Sequence, residues 1–447
     1  MTLLRTDRWL KTRLAVLWSV LSLALLVTAC NTVSPSQAPF RDYGYKPPAD
    51  QYNGTLFKLS QNYPTQMPGS NQLPAFFKTD FQKDWRTYML QVRDYCFEGN
   101  IQVDWRVENN KVRNWYHMPW QDYGPAVREG IHGLTKEAPL SAGQLAATQP
   151  YTNAVAYAVG FYNDFGGYTI GQVWKDHTKP DPSAISNAGF PIGTVVCKTL
   201  FVDMPPSLIA AQVPFLVNPI QWQAYTTNGF NSTDRSVKPV ALIQMDIMIR
   251  DDRAPSGWIF GTFQYNGALA NAEPWRNLVP VGLMWGNDPD YAGNTQNIPV
   301  SDANNQFPPN QPVTQTPINT GLTETIINPD ANELPPTHLG WEGRLNGPVD
   351  NPRSSCMSCH MTASYKGEPL SPLFVPASDR PQSGTPAWDT WWMQWFQNVG
   401  WKNGQLDKFL QAQYSLDFSL QLSAALQNFD QSEASPVRAT PKHPVQR

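Results

Sequence analysis

Ser354-Ser355-Cys356-Met357-Ser358-Cys359-His360 carries the densest reactive chemistry in this 447-residue chain. Two thiols at this spacing can add across the two vinyl groups of one haem, and the adjoining imidazole then falls on the iron, so C-x-x-C-H reads as a covalent haem attachment sequence. A redox C-x-x-C, or half of a zinc site, is the alternative for the same residues. Zinc would need a second ligand pair at matching spacing, and the thiols left over, Cys96 and Cys197, are single and distant in sequence. The motif predicts one covalent haem c, held by Cys356 and Cys359, with His360 as the metal ligand. No residue is assigned a catalytic role.

Haem attachment needs reduced thiols outside the cytoplasm, and the N-terminus reads as an export signal. Arg5, Arg8, Lys11 and Arg13 form a basic stretch, followed by an apolar run over residues 14–27 that is short for a membrane span. Val27-Thr28-Ala29-Cys30 follows and resembles the lipobox of bacterial lipoproteins, which implies lipidation of Cys30 as the first mature residue. Asn31 comes next, where an aspartate tends to retain lipoproteins in an inner membrane, so the expected location is the cell envelope, lipid-anchored at an outer membrane and facing the periplasm. A plain cleavable signal peptide is the alternative.

Removing residues 1–29 takes away four basic residues and one acid, which moves the formal net charge from -3 to -6. No basic run or stripe remains, so nucleic acid is excluded as a partner class. Charged residues make up 15% of the chain against about 25% in average soluble domains, while 17 Trp, 17 Tyr and 41 Pro are many, so the core is expected to be built from rings and long ordered loops. Whether Cys96 and Cys197 pair in an oxidising compartment is left open by the sequence.

The elements that must position the motif can be read from periodicity. Residues 31–55 lack apolar periodicity and suit a tether. Phe77, Phe81, Trp85, Met89 and Val92 recur at helical spacing over residues 74–95. Residues 101–105 and 112–115 read as a hairpin around Glu108-Asn109-Asn110. The aromatic cluster at residues 115–124 contains His117 and Met118, which are either distal haem ligands or parts of a packed loop; His132 is weighed in the same way. Strands are expected over residues 153–162, 193–202, 239–250, 257–265 and 279–285. In the third, Ala241, Ile243, Met245, Ile247 and Ile249 share one face, while Gln244, Asp246, Met248 and Arg250 share the other. Residues 287–336 are an Asn-, Pro- and Thr-rich excursion too long for an ordinary connection. Trp388, Trp391, Trp392, Met393, Trp395 and Phe396 form an aromatic run expected to be helical, and Leu406, Phe409, Leu410, Leu416, Leu420 and Leu426 continue an apolar stripe to residue 429. Met393 could serve as a second axial ligand or simply fill the core. Residues 431–447 are expected to be disordered.

Three segments in order carry a family resemblance: Gly189-Phe190-Pro191-Ile192-Gly193-Thr194-Val195-Val196-Cys197-Lys198, then Ile247-Met248-Ile249-Arg250-Asp251 leading to Ser256-Gly257-Trp258-Ile259-Phe260-Gly261-Thr262-Phe263, then the C-x-x-C-H. Over roughly residues 155–370 the chain resembles the hydroxylamine-oxidising P-460 cytochromes and the nitric-oxide-binding cytochromes c-prime-beta. The resemblance implies a β-rich fold, a C-terminal haem motif and an often open distal side. It departs from the family pattern in its N-terminal extension, the excursion at 287–336, and the 87 residues after His360. Lys198 stands where the family pattern has a strand lysine. The resemblance leaves two roles for it, a cross-link to haem or a solvated, snorkelling side chain.

These readings give an α+β, β-rich chain: a signal peptide at 1–29, a tether at 30–55, an N-terminal aromatic extension at 56–150, an antiparallel-sheet haem c domain at 151–375, a helical cap at 376–430 and a tail at 431–447. The expected activity is redox chemistry on, or binding of, a small diatomic or nitrogen-oxide ligand, and an oxidoreductase acting on hydroxylamine or nitric oxide is the enzymatic form of it. The alternative is an electron-transfer carrier with a six-coordinate haem and a redox partner protein. In both cases the membrane is reached through the lipid anchor.

Overall fold

The computed structural model describes residues 39–40, 45–121, 128–146, 148–286, 324–335, 339–340, 343–351, 354–366, 381–382, 387, 401–402, 405–406 and 413–434. An eight-stranded antiparallel sheet dominates them: β1 (Thr135–Pro139), β2 (Val155–Tyr162), β3 (Val195–Val202), β4 (Gln221–Thr227), β5 (Arg235–Arg250), β6 (Trp258–Tyr265), β7 (Leu278–Met284) and β8 (Thr325–Ile327). The spatial order is β1-β2-β3-β5-β6-β7-β8, with β4 paired to the first half of β5. The chain is thus α+β and β-rich. Helices α1 (Trp85–Phe97), α2 (Asp164–Val173), α3 (Ser183–Ser186), α4 (Pro206–Gln212), α5 (Cys356–His360) and α6 (Leu420–Ala434) surround the sheet. Two short ladders complete it, β9 (Ser364–Tyr365) with β12 (Tyr414–Ser415), and β10 (Trp401–Lys402) with β11 (Gln405–Leu406).

Every residue of β2, β6 and β7 is buried. An antiparallel sheet with one wet face would alternate polar and apolar residues; these strands read as near-continuous apolar runs because both faces are covered. On the first face, cross-strand neighbours Phe161, Cys197, Ile247, Gly261 and Leu283 form a row through β2, β3, β5, β6 and β7. Helix α1 covers that face, with Tyr88, Met89, Val92 and Cys96 buried along its apolar stripe and Asp84 capping its N-terminus at Thr87 N. A disulfide between Cys96 of α1 and Cys197 of β3 bolts helix to sheet. The two sulfurs come together because Cys96 lies on the buried stripe of α1 and Cys197 on the sheet face that α1 covers.

The opposite face carries Tyr162, Val196, Met248, Phe260 and Met284 as a second row, all in an apolar cluster shared with Met357, Met361, Leu422 and Leu426. Helices α5 and α6 cover it.

Several expectations change. The five expected strands form within a few residues of their bounds, but β5 starts earlier because β4, which the sequence reading lacked, pairs with it. The hairpin of strands 101–105 and 112–115 does not form; single 3-10 turns at Ile101–Val103 and Val107–Asn109 replace its first strand and its turn, and residues 112–115 form no strand. Asn110 explains this, since its side chain accepts from Val112 N and Arg113 N and donates to Glu98 O, competing with a ladder. β1, from the stretch read as an N-terminal extension, pairs with β2, so the sheet begins before residue 151. The helix expected from residue 406 starts only at Leu420, because Asp417 and Phe418 adopt φ of 45° and 69°, which a helix cannot continue through. The same helix runs on to Ala434, past the expected start of a disordered tail at 431. The signal peptide, Cys30, Met393 and its neighbouring tryptophans lie outside the described residues, as does most of the excursion at 287–336, of which β8 is described.

Candidate haem attachment site

Helix α5 is a single turn, and its sequence sorts itself by face. Cys356, Cys359 and His360 stand at i, i+3 and i+4 and are half-buried, whereas Met357, fully buried, and Met361, 7% exposed, anchor the other side in the apolar cluster. Ser355 caps the turn by accepting from Ser358 N at 3.2 Å, and Ser358 Oγ accepts in return from Ser355 N at 2.8 Å. The Cys356 N–H donates to Leu345 O at 3.0 Å, which ties the turn to the preceding loop. Such a short turn has no stability of its own and is held by these caps and by its methionines.

The turn lies along β6. Phe260 and Thr262, two residues apart and so on one face, meet its two ends. The Phe260 ring is 5.1 Å from the His360 ring, and Thr262 Oγ1 is 3.9 Å from Cys356 Sγ. Thr262 belongs to a third cross-strand row, Gly160, Lys198, Asp246, Thr262 and Gly282, in which charged and hydroxyl side chains are flanked by glycines. Thr262 Oγ1 donates to Asp246 Oδ1 at 3.0 Å; Gln244 Nε2 donates to Asp246 Oδ1 at 2.7 Å and to Asp350 Oδ2 at 2.9 Å. Lys198 Nζ donates to Glu137 Oε2 at 3.0 Å.

Burial, and then the carboxylate of Asp350, push Asp246 up to about 8, against the pull of Lys198 and two hydrogen bonds. Asp350 is raised as well, again chiefly by burial. Burial presses the Lys198 amine down, but Glu137, Asp350 and Asp246 outweigh it and hold the amine above its ordinary value. The Cys356 thiol is raised well above its usual range by burial and by Asp246 and Asp350, and Cys359 is pushed up to about 12 by burial and Asp350. Both sulfurs are therefore neutral thiols at neutral pH. His360 is lowered to about 4 by burial, so its ring is neutral there too.

The neutral ring has a defined tautomer. His360 Nδ1 lies 2.9 Å from the backbone oxygen of Phe418, which can only accept, so Nδ1 carries the proton and Nε2 keeps a free lone pair. A histidine that ligates a metal characteristically engages its other nitrogen in this way. Two unbonded thiols and a tautomer-locked imidazole on one helical face fit covalent haem. They fit the alternatives less well. Zinc's second cysteine pair is consumed in the disulfide on the opposite face, and among the described residues no group of three or more His, Cys, Asp and Glu is gathered for a metal ion. A redox C-x-x-C works through a lowered thiol pKa, and both thiols here are raised.

The other sequence candidates have partners of their own. His117 is buried, its Nδ1 accepting from Ser60 N at 2.9 Å between Phe57 and Phe161. His132 stacks on Trp222 at 4.4 Å and bonds to Gln223 O and Asp104. Both act as packed structural rings. Met118 is buried in the same apolar cluster as Met357 and Met361, on the motif's side of the sheet. Lys198 does share a sheet face with the motif, as an ion-paired member of the polar row. The sequence reading set Gln244 and Asp246 on one face of their strand without assigning them to the site, and it missed Asp350 and the Phe418 carbonyl, which reach the site through tertiary contacts. An open cleft of about 820 Å3 lies around α1, lined by Phe76, Tyr95, Arg113 and Asp164, away from the motif. Its charges are answered internally, by Arg113 with Glu98 and Arg276 with Asp94.

Comparisons with family models, with curated proteins and with solved structures return no match to this chain.

Proposed function

We propose that this chain is a c-type cytochrome of the cell envelope, with one haem bound through Cys356 and Cys359 and His360 as proximal ligand, working in redox chemistry on, or binding of, a small nitrogen-oxide ligand. The observation that carries this reading is the hydrogen bond from His360 Nδ1 to Phe418 O beside two unbonded thiols on the same turn. Bound haem c supplies a one-electron iron couple and an axial position for a small ligand. The chain's own residues prepare the rest: the caps fix the turn, Phe260 packs beside the imidazole, and the polar row lies at the Cys356 edge.

The Cys96–Cys197 disulfide supports export to an oxidising compartment. Among the described residues no helix is long and apolar enough to cross a membrane, which is compatible with Cys30 as the anchor. The resemblance to P-460 cytochromes and cytochromes c-prime-beta supports a distal side free for a diatomic. Lys198 is better suited to an ion-paired wall than to a haem cross-link, because an amine held protonated by Glu137 is a poor nucleophile.

Stopped-flow mixing of the ferrous protein with carbon monoxide tests the ligand-binding reading. The observed rate should rise linearly with ligand concentration. A rate that saturates, and loses its ceiling in Met393→Ala, would establish an internal sixth ligand and hand the site to the electron-carrier alternative.

A further inference from the structure

The acceptor for His360 is a backbone oxygen 58 residues further along the chain, in a turn whose conformation needs explaining. Phe418 has φ of 69° and Asp417 before it φ of 45°. Aspartate tolerates the left-handed region comparatively well, but a bulky aromatic there is a genuine outlier that persists only when its surroundings over-determine it. Those surroundings converge on one carboxylate. Asp417 Oδ2 accepts from Phe190 N at 2.7 Å, Oδ1 accepts from Trp258 Nε1 at 2.9 Å, and Arg250 Nε stands 3.7 Å from Oδ2.

These partners come from the turn before β3, from β6 and from β5, so the carboxylate is tied to three separate pieces of the sheet's rim. The approach is close enough to dictate a neighbour's identity. Gly189 has φ of 68°, and a Cβ there would lie 2.8 Å from Asp417 Oδ2. The glycine that opens the Gly189-Phe190-Pro191 segment thus leaves room for Asp417 to reach the Phe190 N–H. At the other end of the turn, the Ser419 N–H donates to Leu416 O at 3.0 Å and Ser419 Oγ meets Tyr162 OH at 3.0 Å. Between these ties the Phe418 peptide has one orientation, with its oxygen on His360 Nδ1.

We propose that Asp417 is a positioning residue which, by clamping the 416–419 turn, aims the Phe418 carbonyl at His360 and so sets how strongly that imidazole donates to haem iron. The inference rests on the haem reading above. A firmly held acceptor on Nδ1–H makes the imidazole more electron-rich, which favours ferric over ferrous iron and lowers the midpoint potential. Loosening the clamp should do the reverse.

The test uses the haem-loaded protein. Asp417→Asn keeps the shape of the side chain but replaces one acceptor by an amide that opposes an incoming N–H. Its midpoint potential should rise, and the exchangeable Nδ1–H resonance of His360, read in the diamagnetic ferrous carbon monoxide complex, should move upfield as the hydrogen bond weakens. Trp258→Phe, which removes one donor to the same carboxylate and leaves the turn otherwise intact, should shift both readouts in the same direction by less. Ile247→Val, on the opposite sheet face, should lower stability and move neither. Unchanged potential and resonance in haem-loaded Asp417→Asn would overturn this inference alone, as would an equal shift in Ile247→Val. A wild-type chain matured with the haem-attachment machinery but carrying no haem would overturn the underlying reading and this inference with it.

Discussion

The same five strands present two unlike faces: the row facing α1 is apolar, whereas the other face sets a polar row beside its apolar one. Phe161, Cys197, Ile247, Gly261 and Leu283 look toward α1 and make a dry, apolar interior closed by a disulfide; Gly160, Lys198, Asp246, Thr262 and Gly282, each one step along its strand, look toward the C-x-x-C-H turn. Both faces are packed, but the second is not dry: Lys198, Asp246 and Asp350 are partly buried, and the Lys198–Glu137 pair reaches solvent. The first face is what hydrophobic burial alone would select. The second places an amine and two carboxylates, Lys198, Asp246 and Asp350, where desolvation is unfavourable, and leaves two cysteines unbonded while the other pair in the described fold is joined. The face that breaks local rules is the one that the proposed haem reading puts to work.

Exchanging features between the faces should therefore have unlike consequences. The largest contrast is between the two cysteine pairs. Cys356→Ala with Cys359→Ala should abolish covalent haem while leaving α1 and its disulfide folded, as read by haem stain and by free-thiol titration. Cys96→Ala with Cys197→Ala should keep the haem and lose stability instead. The disulfide closes a loop with a sequence separation of 101, for which chain entropy gives about 4 to 5 kcal/mol, and denaturant melts of the two proteins would measure it. Haem lost equally from both double variants would erase the proposed division of labour.

A smaller effect separates the faces by pH. Asp246 sits at about 8 when folded against an ordinary 3.8, so the folded state holds the proton more tightly than the unfolded chain. Stability contributed in this way is present at low pH and is lost as pH rises through about 8. Melts at about pH 5 and about pH 9 should show the wild type weaker at the higher pH, and Asp246→Asn should reduce that slope, leaving the part that Asp350 contributes. A slope unaltered in the variant would place its origin elsewhere. The smallest change is Thr262→Val, which deletes the hydroxyl that donates to Asp246 Oδ1 and should cost about 1 kcal/mol. Ile247→Ala on the dry face, at 1% exposure, should cost about 2 to 5 kcal/mol. Comparable losses at both positions would mean that the polar row is packed as tightly as the apolar one.

Much of the sheet was legible in the chain because alternation survives in β5, where Met245, Ile247 and Ile249 enter the dry core and Gln244 and Asp246 turn to the other side. β4 was hidden because the alternation of Gln221, Trp222, Gln223 and Ala224 lasts only four residues before Tyr225-Thr226-Thr227, and its partner is the half of β5 that precedes the apolar run. The Asn109-Asn110 turn signal misled because a side chain that hydrogen-bonds its own loop can replace a hairpin ladder. At the site, the thiols and the imidazole were evident from spacing alone. Their supports were not: Asp350, the Phe418 carbonyl and Asp417 reach the site through tertiary contacts across long stretches of chain, and a backbone oxygen has no letter in a sequence. The Cys96–Cys197 pairing was equally silent, because proximity of two distant cysteines is a property of how α1 packs on the sheet.

The central claim concerns the Cys356-Met357-Ser358-Cys359-His360 turn, and the most direct measurement is the mass of the purified chain after denaturation, with a pyridine haemochrome spectrum of the same sample. Expressed with a haem-attachment machinery, the chain should carry the added mass of one haem on the peptide containing Cys356 and Cys359, with the spectrum of two saturated thioether links. A chain of unmodified mass from cells that mature a control cytochrome, or a haem that washes away on denaturation, would contradict the account.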